Sequence, residues 1–132
     1  MVLLSVYATV YNSERIVGKS LHTLINSLTP HINDFEIVIN DDGSRDKTFK
    51  ILLSYAEKYD NIKLLKDDRN RGRGVGFNRA LKAASGKYVL SVGLDTIYEE
   101  GFGLIVRKVL GVVQSNELWR IPYFILAPRN LI

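Results

Sequence analysis

The sequence predicts an α/β domain of three layers, with helices on both faces of a mainly parallel sheet of about five strands. The stretch Phe35–Ile39 is apolar or β-branched at every position but Glu36, the pattern of a strand buried on both faces, and it runs directly into Asn40-Asp41-Asp42-Gly43-Ser44. Strand-like segments alternate with amphipathic segments of helical length along most of the chain, as in parallel strands joined by helical crossovers. The chain has 132 residues, 46% apolar and 24% charged, which suits one domain with its own core and argues against disorder.

Leu3–Val10 reads as the first strand, rich in β-branched and aromatic residues. Tyr11-Asn12-Ser13 interrupts it, and Asn12 or Ser13 is placed to cap a helix over about 14–28. Ile16, Val17, Leu21, Leu24, Ile25 and Leu28 form its apolar face, and Pro30 stops it. The second strand covers 35–40, and a helix over about 46–59 turns Phe49, Leu52, Leu53 and Ala56 inward. Ile62–Leu65 is a short third strand, followed by the polar loop Lys66–Arg73 and a helix over about 74–84. Lys87–Val92 is a fourth strand that ends in Gly93-Leu94-Asp95-Thr96. Beyond it the spacing predicts a helix over 102–113 with Leu104, Ile105, Val109 and Leu110 inward, and Glu99 and Glu100 at its start. Trp119–Ala127 reads as one more strand, made an edge or bulged strand by Pro122.

Composition narrows the function. The absence of cysteine excludes a disulfide framework and thiolate zinc sites, and fits a reducing, cytoplasmic setting. His22 and His31 have no ligand-like neighbours and do not point to a metal centre. The net charge is +4, with the basic excess between Lys63 and Lys87, which suits an anionic ligand such as a nucleoside diphosphate or an acidic lipid. No aromatic residues interleave with Arg69, Arg71 and Arg73, which argues against nucleic acid. The apolar amino-terminal stretch is too short to span a bilayer and lacks a basic leader, and Arg107 and Lys108 interrupt the other long apolar run.

The candidate site residues gather at predicted strand ends, where open α/β sheets bind ligands. A carboxylate there, such as Asp41, can accept hydrogen bonds from a base N–H or a ribose hydroxyl. Asp42 is placed to shape the turn, and Ser44 and Asp46 to cap the next helix. The ring and amide of Tyr11-Asn12 suit a nucleobase, or equally a turn with an N-cap. Gly72, Gly74 and Gly76 do not form a dinucleotide fingerprint, because position 77 is Phe and polar residues separate them from the preceding strand. Arg71 or Arg73 at a glycine-rich helix start makes an anion site; the alternative is a solvated basic loop.

The string Asp41-Asp42-Gly43-Ser44-Arg45-Asp46 after a hydrophobic strand resembles the nucleotide-binding strand of family 2 glycosyltransferases of the GT-A type, and the resemblance runs over roughly residues 3–100. It implies a Rossmann-like GT-A fold, a UDP- or GDP-sugar donor, Mg²⁺ or Mn²⁺, and transfer with inversion to a lipid-phosphate or glycan acceptor. It also implies that Tyr11 and Asn12 line the base pocket, that Asp41 bonds the uracil or ribose, and that Arg71 or Arg73 approaches the diphosphate. Asn78 matches the asparagine of the family's Arg-Asn pair, while Phe77 stands in place of its arginine.

One departure bears on chemistry. Members of this family end the fourth strand with Asp-x-Asp, whose carboxylates share one side and one metal. Here Gly93 takes the first position and Asp95 the second, so Asp95 alone is expected to hold the metal, together with substrate phosphate. Phe124–Ile132 resembles the start of the family's acceptor half, and no candidate base follows Glu117. The expectation is therefore a single donor-binding domain over 1–132, cut short before the acceptor half. Its helix 102–113 and strand 119–127, lacking partners, would favour a homodimer, and a lipid-linked acceptor would bring it to a membrane surface peripherally. The rival reading is a GT-A-like interaction module that has lost transfer. A nucleotidyltransferase would carry a glycine-rich phosphate loop after its first strand, and Tyr11-Asn12-Ser13 is not one.

Overall fold

The computed structural model describes residues 2–121 and 124–132. Its elements are β1 (Leu4–Val10), α1 (Val17–Leu28), β2 (Phe35–Asp41), α2 (Thr48–Lys58), β3 (Ile62–Lys66), α3 (Arg73–Ala83), β4 (Tyr88–Ser91), α4 (Glu100–Leu110), β5 (Trp119–Ile121) and β6 (Phe124–Pro128). The strands form one sheet in the order β3-β2-β1-β4-β6-β5. The first four are parallel, and β6 runs antiparallel to both of its neighbours. Leu4, Val6 and Ala8 of β1 pack with Ile37 and Ile39 of β2 against Leu21, Leu24 and Val106 from α1 and α4. On the other face Tyr7, Val38 and Val89 pack against Ala80 and Ala84 from α3 and its end. That alternation of inward faces makes the three layers.

All seven residues of β2 are buried, as its sequence predicts, and so its polar side chains must find partners inside. Glu36 does. Its carboxylate accepts hydrogen bonds from Ser5 Oγ at 2.6 Å and Ser85 N at 2.7 Å, and Lys63 Nζ lies 2.9 Å away. Burial alone would raise its pKa, but the Ser5, Ser85 and Lys63 bonds outweigh that and hold it below the usual value.

Three expectations need correction. The strand expected over 119–127 is two antiparallel strands, β5 and β6, so the sheet has six strands; the edge-or-bulge reading of Pro122 lies outside the described residues. Neither Asn12 nor Ser13 caps α1, which starts only at Val17 with no side-chain cap: Asn12 Oδ1 accepts Arg45 N across the cleft wall, and Ser13 Oγ donates to the Tyr11 carbonyl. Inward faces also differ. α4 buries Gly103, Val106 and Val109, while Leu104 and Ile105 are exposed, and on α2 Leu53 is exposed as well. Glu99 holds the N-cap position of α4 without a side-chain bond, and Glu100 sits in the first turn where its charge suits the helix dipole.

Glycine explains the turn of α4. A Cβ on Gly103 would stand 1.7 Å from the carbonyl oxygen of Ser27, so α4 rests on the backbone of α1 at that point. Apolar periodicity gives no weight to such a residue, and the helix faces inward along it. α3 lies equally close to the sheet: a Cβ on Gly76 would come within 2.1 Å of Thr9 Oγ1. Among the described residues, no helix is long and apolar enough to cross a membrane.

Gly103→Ala is expected to force α4 off α1 and lower stability by about 3 kcal/mol, read as a lower denaturant midpoint at unchanged slope.

Candidate functional site

The chain reaches β4 from β3 by carrying α3 past β2 and β1, so the direction of sheet growth switches between β1 and β4. At such a switch the loops leaving the carboxyl ends diverge and leave a crevice. A cleft of about 260 Å³ opens there, lined by Thr9, Val10, Tyr11 and Ser13 from β1 and its loop, by Asp42 just after β2, by Arg73 and Phe77 from α3, and by Gly93, Leu94 and Asp95 after β4.

Two loops hold its near wall by bonding to each other. Asn12 N donates to Ser44 Oγ at 2.9 Å, and Arg45 N donates back to Asn12 Oδ1 at 2.9 Å. Ser13 N donates to Thr48 Oγ1 at 2.7 Å. Glu14 N donates to Asp46 Oδ2 at 3.2 Å, and Lys47 N returns a bond to Glu14 Oε2 at 3.1 Å. Asn12 sits at φ 46°, a left-handed conformation that asparagine tolerates, and its amide is spent on this interlock. Asp46 also accepts Thr48 N at 2.9 Å, the local bond foreseen for it at the start of α2, whereas Ser44 receives its bond from Asn12 instead. Tyr11 is left exposed at the rim of the cleft.

The far wall is fixed by Asp42. Its Oδ1 accepts Arg71 N at 2.7 Å and its Oδ2 accepts Gly72 N at 3.1 Å, so one carboxylate clamps the backbone that leads into α3. Gly43 follows at φ 72°, and a Cβ there would lie 2.3 Å from the Arg69 carbonyl carbon, so the two loops touch backbone to backbone. Asp42 therefore shapes not only its own turn but also the loop that delivers the arginines.

Those arginines part company. Arg71 turns to carboxylates, with Nη2 at 3.0 Å from Asp68 Oδ1 and Nε at 3.8 Å from Asp67 Oδ1, and does not line the cleft. Arg73, the first residue of α3, does line it, and among the described residues no carboxylate lies within ion-pairing distance of it. Asn78 is exposed on α3 and outside the cleft lining. Beneath α3, buried Asp67 accepts Asn40 Nδ2 at 3.1 Å and pairs with Arg79 Nε at 3.1 Å. The sequence reading gives Asn40, Asp67 and Arg79 no role in the site; it is the register pairing Asp41 with Lys66 across β2 and β3 that brings Asp67 to the same sheet edge.

Asp41 faces the other side of the sheet and is wholly buried, outside the cleft lining. Ser44 N donates to its Oδ1 at 3.3 Å, and its Oδ2 has no partner among the described residues. Burial pushes its pKa up, against the lowering pull of Ser44 and Lys66. On β4's side, the Tyr98 hydroxyl donates to the Gly93 carbonyl at 2.5 Å, and burial with the nearby Asp95 charge raises the phenol's pKa. Asp95 is exposed at the cleft, and a Cβ on Gly93 would stand 2.7 Å from its Oδ1. Among the described residues, no group of three or more His, Asp or Glu side chains is gathered as a metal site. Asp95 offers one carboxylate, enough for Mg²⁺ or Mn²⁺ only if phosphate oxygens complete the shell.

The profile of glycosyl transferase family 2 matches residues 5–108. A dolichyl-phosphate beta-glucosyltransferase of Trichomonas vaginalis is 34% identical over 122 residues, 88% of this chain and 37% of that protein. A poly(ribitol-phosphate) beta-glucosyltransferase of Bacillus spizizenii is 38% identical over 93 residues, 70% of this chain and 14% of its own length. The chain thus spans well under half the length of these curated relatives. Among solved structures, S. aureus TarS in complex with UDP-GlcNAc superposes with a TM-score of 0.71 at 27% identity, covering 88% of this chain and 39% of TarS. Its complex with UDP gives 0.76 at 25% identity, covering 96% and 47%.

Two outcomes follow from the two aspartates. Asp42→Ala is expected to speed hydrogen exchange at the Arg71 and Gly72 amides by about tenfold or more while the β2 amides keep their protection. For Asp41, burial sets the folded pKa above the ordinary 3.8, so the folded state holds the proton more tightly and stability falls as pH rises through that interval. Asp41→Asn should raise the melting temperature at pH 7, with a gain that fades as pH drops toward 3.8.

Proposed function

Because the chain belongs to glycosyl transferase family 2, we propose that its cleft binds a nucleoside diphosphate-sugar, a UDP- or GDP-sugar, for transfer of the glycosyl group with inversion to a lipid-phosphate or glycan acceptor. The observation that carries this reading is Arg73: a guanidinium with no ion pair among the described residues, at a helix N-terminus, in one cleft with Asp95 and the ring of Tyr11. The helix end and the guanidinium both favour anionic oxygens, so Arg73 receives the diphosphate. Arg71, held by Asp67 and Asp68, contributes through its backbone instead.

Tyr11 offers its ring to the base, and Asn12 keeps the Tyr11 loop in place. Asp41 supports the nucleoside end: its orphaned Oδ2 is a buried acceptor held at a cost to stability, and such groups cluster at functional sites. Asp95 would hold Mg²⁺ or Mn²⁺ together with the diphosphate. When bound, the ion neutralises charge that develops on the leaving diphosphate. Asn78, exposed on α3 and outside the cleft lining, takes no part in this reading. The dolichyl-phosphate and poly(ribitol-phosphate) relatives support a phosphate-bearing acceptor. The reading includes a cytoplasmic protein that meets lipid-linked acceptors peripherally, and a homodimer that covers the exposed Leu104, Ile105, Val112 and Leu118. Gly93 favours a second reading, a GT-A-like interaction module without transfer, since it removes one of two metal-facing carboxylates.

Calorimetric titration of UDP, GDP and their sugars, with Mn²⁺ and with EDTA, separates the two. Metal-dependent binding is expected, weakened about tenfold or more by Arg73→Ala and by Asp95→Ala, and hardly at all by Arg71→Ala. No binding of any of them at millimolar concentration would leave the interaction module.

A further inference from the structure

We propose that Tyr98 is a positioning residue of the cleft: by holding the Gly93 carbonyl it fixes where the Asp95 carboxylate stands, an inference that rests on the nucleotide-sugar reading above. Tyr98 does not line the cleft. It is buried behind the floor that Gly93, Leu94 and Asp95 form, and it acts through them.

The segment between β4 and α4 has few attachments of its own. Val92 N donates to the Tyr7 carbonyl at 3.0 Å, which extends the sheet one residue past β4. Beyond it, none of the amides of residues 93–97 donates a hydrogen bond among the described residues. Leu94 anchors the stretch by an apolar side chain buried in the core. Its polar anchor is the Tyr98 hydroxyl, which donates to the Gly93 carbonyl at 2.5 Å. Without that bond the peptide after Gly93 is free to turn, and Asp95 turns with it.

Three elements set the phenol itself. Tyr98 N donates to Thr23 Oγ1 of α1 at 3.0 Å. The ring packs on Phe102 of α4 with centroids 4.8 Å apart, and on Phe124 of β6 at 5.7 Å. A ring held on three sides gives its hydroxyl one place to be, and the hydrogen bond passes that place on to Gly93. Gly93 passes it on to Asp95. A Cβ at position 93 would stand 2.7 Å from Asp95 Oδ1, so the carboxylate lies folded back against the Gly93 backbone. The same bond aims the Gly93 carbonyl at a buried donor, so its partial negative charge is not turned toward a diphosphate in the cleft.

The test is a double-mutant cycle on Tyr98→Phe and Asp95→Ala, read by calorimetric titration of UDP- and GDP-sugars with Mn²⁺ and with EDTA. Tyr98→Phe keeps the ring and removes only the hydroxyl. Circular dichroism and melting establish that each variant is folded. Tyr98→Phe is expected to weaken binding about fivefold with Mn²⁺ and leave it unchanged in EDTA, and the loss should vanish in the Asp95→Ala background. If Tyr98→Phe does not fold, Thr23→Val, which frees the Tyr98 amide and keeps the hydroxyl, carries the cycle. A loss of equal size with and without metal, or one undiminished beside Asp95→Ala, is what a merely structural tyrosine gives and overturns the inference, as does no loss at all. A wild type that binds these sugars equally well with Mn²⁺ and with EDTA overturns the positioning role and leaves the nucleotide reading standing. One that binds no nucleotide overturns both.

Discussion

The two hydrogen bonds that Asp42 accepts from the Arg71 and Gly72 amides tie the cleft together. They join the end of β2 to the start of α3, elements that the chain separates by a helix and a strand. The contact of Gly43 with Arg69 and the Asp67 pairs below hold the same segment from other sides. A carboxylate between two backbone donors is a rigid, short-range constraint, and charge assistance makes it stronger than a neutral bond. The position of the cation in the site is thus set by an anion one loop away.

Strand β2 holds two buried carboxylates at opposite ends, and they illustrate different uses of the same chemistry. Glu36 is saturated by Ser5, Ser85 and Lys63, and knits the loop before β4 to the amino-terminal edge of the sheet. Asp41, at the carboxyl edge, keeps an oxygen without a partner among the described residues. Satisfying a buried carboxylate stabilises the fold, whereas leaving one partly bare costs stability and preserves an acceptor. The strand's buried carboxylate is fully bonded at one end and only partly bonded at the other.

Much of the fold was legible because its signals are local. The β2 pattern, the apolar face of α1 and the order of strands and helices through β4 all follow from periodicity and turn residues that act over a few positions. What escaped has long-range causes. Asn12 and Ser13 look like caps in isolation, but their partners are Ser44, Arg45 and Thr48, which only the fold brings near. The α4 face turned on Gly103 meeting a Ser27 carbonyl, a contact invisible to any hydrophobic pattern. At the site, Tyr11, Asp42, Arg73 and Asp95 were readable as residue types at strand and helix ends. Which of Arg71 and Arg73 lines the cleft was not, because it depends on Asp67 and Asp68 capturing one guanidinium in three dimensions.

The interlock of residues 12–14 with 44–48 has a bearing on loop grafting. Each loop supplies hydrogen-bond partners to the other, in addition to the local bonds within each. A chimera that imports one loop from a relative would leave backbone amides facing foreign side chains, whereas one that imports both as a cassette keeps the pairing intact. Within that cassette Tyr11, whose side chain stands free at the rim, is the residue that can be varied most independently. The module that transfers between such proteins is therefore the loop pair, not the contiguous motif.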